Sequence, residues 1–281
     1  MSALAGRRAI VSGAAQGLGR AFSEALADAG AAVAVCDVDP EVERLGAARW
    51  SAVADVSDPT AVRAFVDQAA ERLGGIDIVV NNAGVVRQTS PANDDFDKAV
   101  EDYDAVVGVN LRGAYLLGRA AIPHLIRDGG DLVNITTDHV HTCGYPEVID
   151  HADAPDCRWA KTRRPGVGNA TFDVYDASKW GVKGLTSVWA LALAEHGVRV
   201  NSFGMGATET PMILAHLERK GVARPSNLMS AERVAQVLVD LIAEGPAGRS
   251  GDSVQLWPDH PCVLPPASLE GRLLQGALAQ S

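Results

Sequence analysis

The chain has 281 residues, of which 47% are hydrophobic and 21% charged, a composition typical of a globular protein long enough to bury a large core. Its net charge of -10 argues against nucleic acid and anionic membranes as partners, because both attract basic surfaces. There is no CxxC pair among the four cysteines, no amino-terminal apolar segment, and no apolar run of about 18 residues. A cytoplasmic protein with reduced thiols and no membrane anchor is therefore expected.

Short apolar segments alternate with helical patterns along the first 135 residues. Strands are predicted at residues 9–11, 31–36, 50–53, 76–80 and 132–135, and helices at 18–29, 58–73 and 102–126. In the second helix, Asp58 is the expected N-cap and Pro59 the first helical residue. Strands that alternate with helices predict an α/β fold with a parallel sheet and right-handed crossovers.

The pattern breaks down between residues 136 and 172, where His, Asp, Pro, Gly and Arg are frequent and no periodicity is sustained. Further helices are predicted at 175–195, 208–220 and 231–244, and strands at 198–202 and 253–256, before a proline-containing tail with a short helical pattern. There is no internal repeat and no clear linker. The prediction is a single domain over residues 1–281, with an inserted segment at about 138–172.

A glycine-rich turn follows the first predicted strand directly. Gly13 allows a tight turn, Gly17 allows the backbone to approach a pyrophosphate, and Gly19 allows the helix to pack on the strand. The amino terminus of the following helix offers free N–H groups to an anion. The turn residues expected to bind a dinucleotide are Gly13, Gln16, Gly17, Leu18 and Gly19.

An acidic residue, Asp37, ends the second predicted strand. A carboxylate at this position is placed to bind the adenosine ribose hydroxyls and would repel a 2′-phosphate. Because no Lys or Arg lies in the glycine turn or directly after Asp37, the predicted cofactor is NAD rather than NADP. The structural alternative is that an Asp before Pro40 caps a helix, a role that Asp39 could fill at the same time.

Tyr175 and Lys179 are four residues apart in a predicted helix and so share one helical face. A hydride transfer to a carbonyl leaves charge on its oxygen, which requires an acid to deliver a proton. The ammonium of Lys179 favours the Tyr175 phenolate and can reach the cofactor ribose. The alternative for such a pair is a solvated helix face, but the preceding dinucleotide turn favours catalysis.

Three segments together resemble the short-chain dehydrogenase/reductase family: the turn at residues 12–19, the Asn-Asn-Ala-Gly segment at 81–84, and the YxxxK pattern at 175–179. The resemblance implies a single Rossmann-type, doubly wound domain with a mainly parallel seven-stranded sheet. It also implies a secondary alcohol or ketone as substrate, and a homotetramer or homodimer. The cofactor contacts that it implies, beyond the turn and Asp37, are Asp55, Val56, Asn82, Ala83, Gly84, Tyr175, Lys179, Ala207 and Thr210. Asn110 matches the family's catalytic asparagine, which could anchor a water that relays protons through Lys179.

The chain departs from the family pattern at the catalytic serine, whose place Thr137 takes. A threonine hydroxyl donates and accepts as a serine does, although its methyl group restricts the rotamer. We expect Thr137 to keep the role; the alternatives are that Thr136 or Asp138 substitutes, or that catalysis is impaired.

The chain also departs from the pattern in length, because Tyr175 follows Thr137 by 38 positions, against about a dozen in the family. The intervening segment is expected to fold over the cleft and to help form the substrate pocket. Arg163 or Arg164 could meet an anionic group there, or remain solvated. Met205 replaces the family's proline before Gly206, which predicts a looser backbone there, with Gly206 and Ala207 still able to contact nicotinamide.

His139, His141 and Cys143 alternate along one segment, as zinc ligands on one face of an extended chain would. The spacing matches no common zinc motif, and the prediction is that no metal is bound. The histidines could instead contact substrate or be ordinary loop residues.

The predicted function is that of an NAD-dependent oxidoreductase acting on a secondary alcohol or ketone. Two alternatives remain. A catalytically silent NAD-sensing or scaffolding protein on the same fold is suggested by the threonine at the serine position. An epimerase or dehydratase of the related extended group is disfavoured by the chain length and the glycine spacing.

Overall fold

A parallel sheet of seven strands organises the chain, which a computed structural model describes over residues 2–140 and 172–278. The strands are β1 (Arg8–Ser12), β2 (Ala32–Asp37), β3 (Trp50–Val53), β4 (Ile78–Asn81), β5 (Gly130–Ile135), β6 (Val198–Met205) and β7 (Ser253–Leu256). Their order across the sheet is β3-β2-β1-β4-β5-β6-β7, and every neighbouring pair is parallel. The predicted fold class, a single Rossmann-type doubly wound α/β domain, is confirmed.

Helices cover both faces of this sheet. They are α1 (Gly17–Asp28), α2 (Pro59–Leu73), α3 (Phe96–Val107), α4 (Ala114–Asp128), α5 (Asp173–Ala192), α6 (Pro211–Arg219), α7 (Ala231–Ala243) and α8 (Leu269–Leu278). Phe22 of α1 and Leu238 of α7 lie in the core on one face, and Phe65 of α2, Leu125 of α4 and Trp189 of α5 in the core on the other. No helix in the described residues is long and apolar enough to cross a bilayer.

Side-chain caps set several of the helix starts. The predicted cap of α2 is confirmed, since Asp58 accepts a hydrogen bond from the backbone of its first turn and Pro59 is the first helical residue. Asp39 likewise caps a short 3₁₀ helix, Pro40–Arg44, as the structural alternative for this residue predicted. Both are short acidic side chains that satisfy N–H groups left unpaired at a helix start.

The helix predicted at residues 102–126 is longer and less regular than expected. It begins as α3 at Phe96, capped by Asp95, and continues through a π-helical turn, Gly108–Gly113, into α4. The first turn of α3 buries no apolar side chain, since Phe96 is 80% exposed. π-helical turns occur frequently at functional sites.

Strand β6 runs three residues further than predicted. Met205 is buried and pairs with Leu256 of β7, so the expectation of a looser backbone at Met205 is wrong.

The strand order reverses direction between β1 and β4, which are neighbours although β2 and β3 separate them in sequence. The connections that leave these two strands go to opposite sides of the sheet. A crevice therefore forms at their carboxyl ends, where ligands bind in folds of this type. The glycine turn follows β1 and the segment at residues 82–84 follows β4, so both lie at this crevice.

A buried cluster of charged side chains lies at the opposite end of the sheet, where the strands begin. Asp131 of β5 is 3% exposed and binds the guanidinium of Arg199 at 2.5 Å and that of Arg7 at 2.7 Å. Arg199 also donates to the carbonyl of Ile242 at the end of α7, at 2.8 Å. Buried charges of this kind are stable only while they stay paired.

We expect Asp131→Ala to lower the free energy of unfolding by about 3 kcal/mol, because it leaves the buried guanidinium of Arg199 without its nearest carboxylate. Asp128→Ala is the matched control, since Asp128 is 63% exposed and lies 3.8 Å from Arg8; its effect should stay within about 0.5 kcal/mol. Urea unfolding followed by circular dichroism measures both. Equal effects of the two substitutions would contradict the role given to the buried cluster.

Candidate active site

The glycine turn lies against the end of β4. The backbone N–H groups of Gly13 and Ala14 donate to the carbonyl of Cys36 at 2.8 and 3.2 Å. A Cβ added to Gly13, whose φ is +68°, would stand 2.7 Å from the Cα of Ala83, and one added to Gly19 would stand 2.0 Å from the carbonyl oxygen of Gly13. Glycine is therefore required at both positions by close backbone packing.

The amino terminus of α1 is open at this turn. Gln16 precedes it in an extended conformation without a side-chain capping bond, and the first turn holds no acidic residue. By contrast, α2, α3 and α6 are capped by Asp58, Asp95 and Thr210. The N–H groups at the start of α1 are thus available to an anion, which fits the pyrophosphate of a dinucleotide. Leu18 is half-buried and anchors this first turn on the core.

Asp37 and Asn82 hold the turn from its two sides. The carboxylate of Asp37 accepts hydrogen bonds from the backbone N–H groups of Ala15 at 2.9 Å and Asp39 at 3.0 Å. The amide of Asn82 donates to the carbonyls of Ser12 and Gly13, both at 2.9 Å. Both side chains therefore stabilise the conformation of the turn, whether or not they also contact a ligand.

The remaining expected cofactor residues lie around the same crevice. Asp55 is exposed and accepts from Ser57, while Val56 is buried against Gly113 of the π-helical turn. The Cβ of Thr210, at the start of α6, is 3.5 Å from the point that a Cβ on Gly17 would occupy, so α6 begins beside the glycine turn.

Two further expected contacts flank the strand ends. Ala207 is exposed after β6, and its carbonyl accepts a hydrogen bond from Met229 at 3.0 Å. Gly84 follows β4, and a Cβ placed on it would lie 3.4 Å from the Oδ1 of Asn110 and 3.5 Å from the Nζ of Lys179. Gly84 therefore marks where the cofactor crevice meets the catalytic candidates.

Tyr175, Lys179 and Thr137 come together beside this point. The side chain of Thr137 lies close enough to the phenol of Tyr175 to lower its pKa by hydrogen bonding. The Nζ of Lys179 lies 5.9 Å from the centre of the Tyr175 ring and donates to the carbonyl of Ile135 at 2.9 Å. Thr136 points elsewhere, with its hydroxyl against Gly204 of β6. Of the two threonines after β5, Thr137 is therefore the one placed to act together with Tyr175.

Burial disfavours the charged form of both titratable groups. It raises the pKa of Tyr175, an effect that the hydrogen bond with Thr137 partly offsets and that the charges of Asp138 and Asp176 reinforce. It lowers the pKa of Lys179 to about 8. The two pKa values therefore move apart, so burial favours the neutral phenol and the neutral amine and does not by itself activate Tyr175.

Asn110 lies in the π-helical turn and is 1% exposed. Its side-chain oxygen accepts from the N–H of Val85 at 2.8 Å, and its amide donates to the carbonyl of Val85 at 3.0 Å and to Ser178 at 3.1 Å. The hydroxyl of Ser178 in turn donates to the carbonyl of Tyr175 at 2.7 Å. Asn110 therefore ties the loop after β4 to the helix that carries Tyr175 and Lys179.

Several side-chain contacts at this site could not be predicted from the sequence. Ser12 accepts from the N–H groups of Asn82 and Ala83 at 3.2 and 3.1 Å, and Asn81 binds Asn134 across β4 and β5 at 2.7 Å. Such contacts depend on strand register rather than on a local pattern. Ser178 could have been found from its place within the YxxxK segment.

Of the three residues considered as zinc ligands, the structure describes only His139. His139 lies beside Tyr175, whereas His141, Cys143, Arg163 and Arg164 lie outside the described residues, as does most of the inserted segment. Among residues 2–140 and 172–278, no group of three His, Cys, Asp or Glu side chains is placed to hold a metal ion.

The sequence matches the family model described as short chain dehydrogenase over residues 7–146 and 165–220. The chain belongs to the short-chain dehydrogenase family. As a member, it is an oxidoreductase of the kind that uses a nicotinamide cofactor.

Individual members of the short-chain dehydrogenase family are similar along most of the chain. An uncharacterized oxidoreductase, YxbG of Bacillus subtilis, is 31% identical over 221 residues, which are 76% of this chain and 71% of that protein. Levodione reductase superposes with a TM-score of 0.71 at 26% identity, covering 91% of this chain and 96% of that one. The 3-ketoacyl-(acyl-carrier-protein) reductase of Brucella melitensis, complexed with NADH, gives 0.69 at 27% identity, with coverage of 90% and 97%.

The lowered pKa of Lys179 predicts a pH-dependent stability. Between pH 8 and the ordinary value of 10.5, Lys179 binds more protons in the unfolded chain than in the folded one, so its contribution to the free energy of unfolding rises with pH across this window. Lys179→Met should remove that rise and stabilise the cofactor-free protein at pH 7 by about 2 kcal/mol, after allowance for the lost bond to Ile135.

Urea unfolding between pH 6 and 10 measures this effect. Lys220→Met, which removes an exposed lysine at the end of α6, is the matched control and should leave the slope with pH unchanged. A Lys179→Met variant that is no more stable than the original protein at pH 7 would contradict the buried-charge interpretation.

Proposed function

We propose that this chain is an NAD-dependent dehydrogenase or ketoreductase that transfers a hydride between nicotinamide and a secondary alcohol or ketone. The observation that carries the proposal is that Thr137 and Lys179 both lie beside Tyr175, at the carboxyl ends of the strands next to the glycine turn. The B. melitensis neighbour is itself a reductase of a ketone group and is complexed with NADH.

In this proposal the glycine turn and the open start of α1 bind the pyrophosphate, and Asp37 binds the adenosine ribose. Asp55 and Val56 border the adenine. The segment from Asn82 to Gly84, together with Ala207 and Thr210, lines the rest of the cleft. The cofactor supplies the carbon that accepts or releases the hydride.

The reacting oxygen of the substrate is held between the hydroxyl of Thr137 and the phenol of Tyr175. In oxidation, Tyr175 takes the proton of the substrate hydroxyl while the carbon that bears this hydroxyl gives its hydride to the cofactor. In reduction, Tyr175 returns the proton to the carbonyl oxygen. Lys179 stabilises the phenolate by its charge. Asn110 keeps the loop after β4 and helix α5 in register, and its role as a water anchor stays a prediction.

We also propose that the protein is a homotetramer or homodimer that pairs through α4 and α5. The large apolar side chains Tyr115, Trp180, Val188 and Leu191 on these helices are all more than 40% exposed in the single chain. Exposed apolar surface of this extent is typical of an interface. A monomer in size-exclusion chromatography with light scattering would contradict this assembly.

Tyr175→Phe should reduce NADH formation from a panel of cyclic and aromatic secondary alcohols by about a thousandfold, because the proton acceptor is lost while the ring remains. Thr137→Val should cost about a hundredfold for the lost hydroxyl, and Thr137→Ser should retain activity. Initial rates at 340 nm measure these effects.

Tyr103→Phe removes the same hydroxyl from an exposed tyrosine on α3 and is the control, expected to leave the rate unchanged. NAD binding by Tyr175→Phe, followed by fluorescence quenching, should persist. A protein that binds NAD but oxidises no alcohol and reduces no ketone would favour the silent NAD-sensing alternative. Product formation without net change in NADH would favour an epimerase.

Asp37→Asn should weaken the discrimination against NADP by about tenfold or more, because it removes the charge that repels a 2′-phosphate and keeps an acceptor for Ala15. The ratio of kcat/KM for NAD and NADP measures the change. Asp39→Asn, two residues away and engaged in capping, is the control. An equal change in both variants would mean that general charge, and not the position of Asp37, sets the preference.

A further inference from the structure

A second polar system, separate from Lys179 and Asn110, lies beside the Tyr175 ring. The Nδ1 of His139 is 2.7 Å from the Oδ1 of Asp176, and its Nε2 is 3.9 Å from the Oδ1 of Asp138. The imidazole therefore stands between two carboxylates. Its ring meets that of Tyr175 edge-on, with centres 6.2 Å apart and an interplanar angle of 80°.

The position of His139 is fixed by packing as well as by charge. The Phe172 ring lies 6.0 Å from the imidazole and 6.3 Å from the Tyr175 ring, so the three rings form one cluster. His216 of α6 contacts the far side of Phe172 at 6.1 Å. With Asp176 holding its Nδ1, the imidazole has both its location and its orientation set relative to the phenol.

The two carboxylates act against the chemistry required of Tyr175. Asp138 and Asp176 both raise its pKa by their charge, in addition to the larger effect of burial. Asp138 is also linked to the phenol through Thr137, whose hydroxyl lies 3.2 Å from the Oδ1 of Asp138. A cation between the two carboxylates would offset this effect.

We propose that His139 is a positioning residue for Tyr175: held by Asp176, its protonated imidazole offsets the charges of Asp138 and Asp176 and so allows the phenol to release its proton closer to neutral pH. Only the expected effect of His139 on the reaction rate rests on the proposed function; its effect on the ionisation of Tyr175 does not. His139 touches neither the substrate oxygen nor the cofactor in this scheme, and it acts through the electrostatic potential at the phenol.

The groups around His139 favour a protonated imidazole near neutral pH. Burial alone would lower its pKa, but the hydrogen bond with Asp176 and the charges of Asp138 and Asp176 outweigh burial and raise it. Among the described residues, the other titratable groups beside the ring cluster are Lys179, 5.9 Å from the centre of the Tyr175 ring, and His216, whose pKa is lowered by burial and by nearby cations. The support for the phenolate is therefore present below the pKa of His139 and is lost above it.

The decisive experiment follows the ionisation of Tyr175 itself. The protein contains four tyrosines, so labelling with [ζ-¹³C]tyrosine gives a small set of NMR signals, and Tyr175→Phe identifies the one of interest. The titration is recorded from pH 6 to 11 with NAD present, and the Cε1–H signal of His139 is followed in the same series. Because His139 acts only while it is protonated, a Tyr175 midpoint above that of His139 would overturn the proposal. In His139→Gln, which can still donate to Asp176 but carries no charge, the midpoint for Tyr175 should rise by about 1 pH unit.

Two further variants separate charge from packing. The double variant His139→Gln/Asp176→Asn removes one carboxylate together with its counter-charge, so the midpoint should return at least halfway to the original value. His216→Gln, a nearby histidine on the far side of Phe172, should leave the midpoint where it was. An unchanged midpoint in His139→Gln, or a double variant no different from the single one, would overturn the proposal.

The rate gives a second readout. The acidic limb of the kcat/KM profile should move to higher pH in His139→Gln by the same amount as the NMR midpoint, while kcat on the plateau is retained. A uniform loss of kcat without a shift would indicate a structural role and overturn the proposal. If the original protein turns over no alcohol or ketone, the proposed function fails, but the NMR titration still decides whether His139 controls Tyr175.

Discussion

The site depends on a backbone contact at the crevice between β1 and β4. The turn after β1 comes so close to Ala83 that Gly13 has no room for a Cβ, and Asn82 binds the carbonyls of Ser12 and Gly13. These contacts fix where the turn ends and where α1 begins. They therefore fix the direction in which the open N–H groups of α1 point, and the distance between Asp37 and the residues after β4. A turn held less closely would leave these groups unable to act on one ligand.

The catalytic candidates are placed where their own ionisation is costly. Burial opposes the phenolate of Tyr175 and the ammonium of Lys179 alike, and the nearby carboxylates of Asp138 and Asp176 oppose the phenolate further. The Thr137 hydroxyl partly compensates. Because the opposing effects are large, a small change in local charge shifts the balance of protons. This is the physical reason why a group without direct contact to the reacting atoms can influence the rate.

Much of the fold follows from local pattern. Apolar runs located the strands, and Asp58 with Pro59 located the start of α2, because the energy of capping is decided within one turn. The local pattern did not predict the bounds of elements that depend on tertiary contacts. Phe96 is exposed, so the first turns of α3 carry no buried stripe, and Met205 extends β6 only because β7 is available to pair with it.

The same distinction holds at the site. The glycine turn and the YxxxK pair are visible in sequence because their chemistry requires fixed residue types at short spacing. By contrast, the contacts of other residues depend on the register of the strands, which cannot be derived from the sequence. Examples are the contacts of Ser12, Asn81 and Asn134, whose partners follow or lie on other strands. The side chain of Asn110 was expected to act on water. Its bonds to Val85 and Ser178 could not be anticipated, since they follow from the π-helical turn.

The two ends of the parallel strands have different roles in this protein. The ion cluster of Asp131, Arg7 and Arg199 lies at the amino ends of the strands, while the groups proposed to act on cofactor and substrate lie at the carboxyl ends. The length of the strands separates the two. Loops at the carboxyl edge can therefore be lengthened or exchanged in the laboratory, or diverge in evolution, without disturbing the ionic anchor. The long segment between Thr137 and Tyr175 is an example of such variation.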